Sequence, residues 1–215
     1  DIRAALANSC NCFFVELALK LGAEIIHKTA EALGFGGNTE IRPGYVVTDG
    51  NLPSMNTLKE SKGQLALLGF GQGLLTATPL QFCTALCALS ANGLYAEPKL
   101  VSATLNSSGN RDDLPYNPSN RVISEETVKT LREYMRFVVT NGTGASAEYN
   151  HLSGGKTSTA QSGIYVDGKE VLNTWFAGVY PYDDPKYCIV VMTEDGKSGS
   201  SDCCPIFRTI VENIT

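Results

Sequence analysis

Residues 151–163 read HLSGGKTSTAQSG, and two incompatible chemistries share that spelling. A glycine followed by Lys156 and Thr157 is how a phosphate-binding loop ends; a strand carrying the same pair presents a lysine and a hydroxyl to an acyl-transfer site. The phosphate loop needs a glycine five residues before Gly155, where Asn150 stands. It also needs a helix after the threonine, so that amide groups and helix dipole face the phosphates. Instead TAQSGIYV comes next and then the turn pair Asp167-Gly168, so the stretch reads as a strand entering a hairpin. Alternation along that strand puts Lys156 and Ser158 on one face, Thr157 and Thr159 on the other. With local twist, such an edge offers a cation, a hydroxyl and a backbone N–H to one substrate carboxylate and carbonyl.

Outward from this strand, residues 171–180 and 186–193 also read as strands, separated by Asp167-Gly168 and by YDDP at 182–185. The run 187–192 is apolar throughout, as expected of a central strand buried on both faces. A helix over 205–213 closes the chain. On the N-terminal side, 12–21 and 24–33 carry apolar residues at helical spacing, with Gly22 and Gly34 as stops. Residues 35–62 read as a long loop rich in Gly, Pro, Asn and Ser. Thr78 and Pro79 open a helix that ends at Gly93. The strongest helix begins after Ser124: Glu125 and Glu126 suit its positive end, Val128, Leu131, Met135 and Val138 share a face, and Gly142 stops it. Between these two helices, 99–105 reads as a short strand and 106–120 as a polar turn region. Helices first, then an antiparallel meander with a returning helix, predicts an α/β fold of the layered α+β kind. Its mostly helical part covers about 1–98 and its sheet part about 99–215.

The 215 residues are 43% apolar and 18% charged, enough for a folded chain with a hydrophobic core. A net charge of −5 leaves no basic footprint and argues against nucleic acid as a partner. No apolar run approaches the roughly 18 residues of a membrane span, so no membrane contact is expected of this segment. The start DIRAALANSC is no signal peptide, which places any anchor or export signal upstream. Seven cysteines is an odd count; Cys10-Asn-Cys12 is no zinc spacing, and His27 and His151 lie apart from the cysteines. No metal site is expected, and the cysteines read as small buried hydrophobes. Gly69, Gly71 and Gly73 hint at dinucleotide binding, but the third glycine of that fingerprint falls on Leu74, which leaves a tight turn leading into a helix.

A second triplet changes the weight of the first. Ser9-Cys10-Asn11 precedes an apolar helix, and a helix N-cap at Ser9 or Asn11 would account for it alone. A Ser-x-Asn triplet followed, after a helical region, by a Lys-Thr-Ser strand is a more specific pattern. With it, the chain resembles the transpeptidase domain of class B penicillin-binding proteins. GFGQGLLTATPLQFCTALCALSANG, VISEETVKTLREYMRFVVTNGTG, GGKTSTAQ, TWFAGVYPYDDPKYCIVVM and PIFRTIVENI resemble that family's elements in the same order, over nearly all 215 residues. The resemblance implies a penicillin-binding protein or serine β-lactamase-like fold: an antiparallel sheet flanked by helices, with a helical subdomain.

Two departures stand out. The family's nucleophile sits in a Ser-x-x-Lys box upstream of Ser-x-Asn, and this chain begins eight residues before Ser9, so an N-terminally truncated domain without its acylating serine is expected. The one local match, Ser153-Gly-Gly-Lys156, overlaps the lysine triplet and reads as accidental. The family's Lys-Thr-Gly is here Lys156-Thr157-Ser158.

The resemblance further implies roles in a D,D-transpeptidase acting on D-Ala–D-Ala stem peptides of peptidoglycan and acylated by β-lactams. Ser9 would relay a proton to the leaving amine and Asn11 would hold the acyl-side amide. Lys156 would place positive charge near Ser9 and the substrate carboxylate, and Thr157 would hydrogen-bond that carboxylate. Ser158 would lie along the substrate, and the N–H of Thr159 would be half of an oxyanion hole. No cofactor is implied. Cell-wall synthesis proteins are the implied partners, and the implied location is the extracytoplasmic face of the membrane, anchored by an upstream segment. From residues alone, a β-lactamase- or carboxypeptidase-type hydrolase and a non-catalytic scaffold remain open.

Overall fold

A computed structural model of the protein describes residues 1–42, 44–47, 50–114 and 119–215. The helices are α1 (Ile2–Ala7), α2 (Asn11–Leu21), α3 (Ala23–Ala32), α4 (Met55–Glu60), α5 (Lys62–Gly69), α6 (Pro79–Ser90), α7 (Glu125–Asn141) and α8 (Cys204–Ile214). Strands β1 (Thr39–Arg42) and β2 (Tyr45–Val47) form a hairpin, as do β4 (Ala103–Leu105) and β5 (Arg111–Asp113), while β3 (Leu94–Tyr95) pairs with β6 (Asn120–Arg121). The main sheet comprises β7 (Gly154–Val166), β8 (Lys169–Tyr180) and β9 (Tyr187–Thr193), antiparallel in the order β7-β8-β9. Among the described residues, no helix is long and apolar enough to cross a membrane.

Among the described residues, β8 lies between β7 and β9. The apolar run of β9 meets cover on both faces, as its composition predicts. Phe176 and Tyr180 of β8, with Val191 of β9, pack on one face against Cys203, Cys204, Phe207 and Val211 from α8 and its approach. Ala177 and Val179 point the opposite way, toward Leu86 of α6 and Met135 of α7, with Cys188 and Val190 beside them. Gly155 and Gly178 face each other across β7 and β8. A Cβ at either would sit within 2.5 Å of the Phe176 or Phe207 ring, so this cross-strand glycine pair makes room for the edge-to-face contact of those rings at 4.8 Å.

The helical part holds its own core, in which Ala23, Leu58, Leu65 and Leu68 gather Ile26, Leu52, Met55 and Leu75. The region expected as a loop over 35–62 is therefore partly structured: it carries the β1–β2 hairpin and α4, whose N-cap Ser54 accepts from the N–H of Thr57 at 3.2 Å. Its residues 43, 48 and 49 lie outside the described residues, as do 115–118 of the polar region over 106–120, which also contains β5. The strand expected over 99–105 shortens to β4. Helix signals did better. Thr78 and Gln81 form a reciprocal capping box on α6, Ser124 caps α7, and Gly142 ends it. The cysteine expectation fails in part: Cys203 and Cys204 are buried, but Cys10, Cys12 and Cys87 are exposed.

Candidate active site

The Ser-x-Asn triplet occupies the junction between α1 and α2, and neither Ser9 nor Asn11 caps a helix: the N-cap of α2 is Cys10, without a side-chain bond. Ser9 instead ends α1. Its N–H donates to the Leu6 carbonyl at 3.3 Å, the Cys10 N–H donates to the Ala5 carbonyl at 2.9 Å, and Ser9 has φ of 53°. Those two bonds around a left-handed residue make a Schellman motif, whose left-handed position normally belongs to glycine. A serine there carries a backbone cost of roughly 1–2 kcal/mol, the kind of strain found where a side chain's direction matters more than local stability. Asn11, two residues on, is exposed at the first position of α2.

The strained turn aims Ser9 at β7. The Lys156 ammonium donates to Ser9 Oγ at 2.9 Å and to the Thr157 carbonyl at 2.6 Å. Burial of Lys156 disfavours its charged form and pulls its pKa down to about 8. The bond to the Thr157 carbonyl also fixes which way the strand's backbone faces. In an antiparallel strand the N–H and C=O of one residue point to the same side, and sides alternate. The Thr157 carbonyl turned toward Lys156 therefore belongs to the open edge of β7, and the N–H of Thr159 shares that edge. The opposite set pairs inward: Ser158 lies across from Trp175 of β8, and Gly199 packs so closely on this pair that a Cβ there would lie 2.2 Å from the Trp175 carbonyl. Thr159 is exposed, as is Ser158.

Ser153 lies in the core rather than at the open edge of β7. It is fully buried, and its Oγ accepts the Tyr149 N–H at 3.0 Å. Its carbonyl accepts from Arg136, which also pairs with Glu148 and lies over the Tyr182 ring, so this corner is a clamp holding the start of β7.

One residue at the site escaped the sequence reading. Thr143, just after α7, bonds its hydroxyl to that of Thr157, while its N–H donates to the Ala7 carbonyl at 3.1 Å. Gly142 beside it touches the end of α1 so closely that a Cβ would lie 2.3 Å from the Ala7 carbonyl oxygen. The turn after α7 thus joins the Ser9 turn to the Lys156–Thr159 strand. Its one sequence signal was the Gly-Thr-Gly at 142–144, read only as a helix stop.

A lysine of lowered pKa hydrogen-bonded to a serine, beside an open strand edge, fits proton transfer and anion binding in acyl transfer. The family model for the penicillin-binding protein transpeptidase domain matches residues 1–212. The chain belongs to the penicillin-binding protein transpeptidase family. Its relatives are of the class B kind. They include peptidoglycan D,D-transpeptidase MrdA of Haemophilus influenzae, 29% identical over 99% of this chain and 36% of the relative. Stage V sporulation protein D of Bacillus subtilis is 31% identical over 96% of this chain and 32% of its own length. The chain thus spans about a third of the length of these curated relatives. Among solved structures, penicillin-binding protein 3 of Mycobacterium tuberculosis complexed with aztreonam superposes with a TM-score of 0.86 at 28% identity, covering 99% of this chain and 50% of that one. The D,D-transpeptidase domain of a peptidoglycan glycosyltransferase from Eggerthella lenta, at 24% identity and TM-score 0.84, shows the same fold.

Proposed function

We propose that residues 1–215 supply the Ser9-x-Asn11 and Lys156-Thr157-Ser158 sides of a peptidoglycan D,D-transpeptidase site whose acylating serine lies N-terminal to residue 1. That serine attacks the carbonyl of the penultimate D-Ala of a stem peptide, and the bond to the last D-Ala breaks. The departing amine takes a proton through Ser9, held by Lys156. The acyl group then passes to the amine of a second stem. Asn11 holds the acyl-side amide, Thr157 and Lys156 bind the terminal carboxylate, and the Thr159 N–H receives the developing oxyanion; losing one such donor typically costs about 3 kcal/mol of transition-state stabilisation. β-Lactams acylate the same serine. On this reading residues 1–215 alone neither react with penicillin nor cross-link. The domain works at the extracytoplasmic face of the membrane, anchored upstream, among cell-wall synthesis proteins.

The observation that carries the reading is the Ser9–Lys156 hydrogen bond at 2.9 Å, which couples the two triplets across the chain. The test uses a protein carrying residues 1–215 behind a Ser-x-x-Lys box, incubated with a stem pentapeptide ending in D-Ala–D-Ala and an acceptor amine. Release of D-Ala together with amide formation supports the transferase. Release of D-Ala with only the hydrolysed tetrapeptide would replace it with a carboxypeptidase, and no release would leave a scaffold.

A further inference from the structure

We propose that Thr143 is a positioning residue that sets the direction of the Thr157 hydroxyl for substrate-carboxylate binding. The inference rests on the transpeptidase reading and extends it to a residue outside both triplets. Thr157 is 6% exposed, and its hydroxyl bonds to that of Thr143. A hydroxyl has one proton to give and two lone pairs to accept with. If Thr157 gave its proton to Thr143, it would present only lone pairs to an anion and would repel it. With Thr143 as donor, the Thr157 proton is free to point at the carboxylate. The two bonds then run in series, Thr143 to Thr157 to carboxylate, each polarising the next.

The backbone supports the same assignment. The Thr143 N–H is held at 3.1 Å by the carbonyl of Ala7, two residues before Ser9. Its side chain is therefore placed by the element that carries Ser9 and acts on the strand that carries Lys156. A residue serving only the fold would satisfy the buried Thr157 hydroxyl in either direction, whereas carboxylate binding requires Thr143 to be the donor.

Two variants test this in the protein that carries residues 1–215 behind its acylating serine. Thr143→Val keeps the shape and removes the hydroxyl; Thr143→Ser keeps the hydroxyl. The second-order rate of acylation is measured with benzylpenicillin and with its methyl ester, which has no carboxylate. Thr143→Val is expected to slow the acid about 10-fold or more and the ester less than about 2-fold, and Thr143→Ser to stay within about 3-fold of the unsubstituted protein on both. The acid-to-ester ratio is internal to each sample, so partial loss of folded protein cancels. Equal losses on acid and ester, no loss on either, or a serine variant as slow as valine overturns the inference while leaving the transpeptidase reading intact. No adduct on the unsubstituted protein overturns both.

Discussion

Ser9 and Lys156 stand 147 positions apart in the chain, yet the Lys156 ammonium reaches Ser9 Oγ at 2.9 Å. The contact forms because a Schellman turn throws Ser9 into a left-handed conformation at the end of α1, and because that end is packed against the turn after α7, beside β7. On the proposed function, proton transfer at this pair depends on the charge of Lys156, whose pKa burial lowers to about 8.

In the protein that carries residues 1–215 behind its acylating serine, the rate of acylation by an anionic β-lactam should therefore carry an alkaline limb. Lys156 is protonated below its pKa and neutral above it, so the rate holds through neutral pH and falls beyond about pH 8. Lys156→Arg keeps its charge throughout and should lose the limb, at a lower plateau. Rates are followed with a fluorescent penicillin from about pH 6 to 10; a profile flat across that range speaks against a role for the Lys156 charge.

Stability and activity should part company at Ser9. Ser9→Gly relieves the left-handed backbone, so the midpoint of thermal unfolding should hold or rise, by up to about 1 kcal/mol of stability. It also deletes the hydroxyl that Lys156 holds, and acylation of the protein extended to include its acylating serine should fall at least about 10-fold. A Ser9→Gly protein that is both less stable and fully active would mean that the serine serves the turn rather than the chemistry.

Legibility in the sequence tracks the range of the contacts. Caps, hairpin turns and the face of α7 depend on neighbours a few positions away, so Thr78, Ser124, Asp167-Gly168 and Gly142 announced themselves. Both triplets were legible because their residue types are chemically rare in that pairing. What covers the apolar run of β9 was not legible, because α6 and the α8 region, distant in sequence, supply its two faces. The Schellman turn was hidden because serine occupies the place where glycine would have signalled it. Thr143 was hidden because its partners, Thr157 and Ala7, meet it only in the folded chain.

Gly142 offers a steric test of the same junction. Its φ is −133°, so alanine is tolerated by the backbone, but the added Cβ would lie 2.3 Å from the Ala7 carbonyl oxygen. Pushing α1 off α7 should cost about 1–3 kcal/mol in denaturant unfolding and, in the protein extended to include its acylating serine, lower the acylation rate by displacing Ser9. Full activity in Gly142→Ala would show that the Ser9 turn is held by other contacts.

Thiol labelling tests the burial pattern. Cys10 and Cys12 should react first with a maleimide in the native protein, and Cys203 and Cys204 only after unfolding. Cys87 should lag despite its exposure, because hydrogen bonding with the Cys188 thiol pushes its pKa up to about 11 and suppresses the thiolate. Labelled peptides are ranked by mass spectrometry over time; early labelling of Cys203 or Cys204 would contradict the core around α8.

That these residues form the Ser-x-Asn and Lys-Thr-Ser sides of a penicillin-reactive transpeptidase is open to one decisive measurement, intact-mass spectrometry after incubation with benzylpenicillin. Residues 1–215 alone and a version extended upstream through a Ser-x-x-Lys box are compared. One penicilloyl adduct is expected on the extended protein, lost in Lys156→Ala, and none on residues 1–215. An adduct on residues 1–215, or none on the extended protein, would refute the assignment.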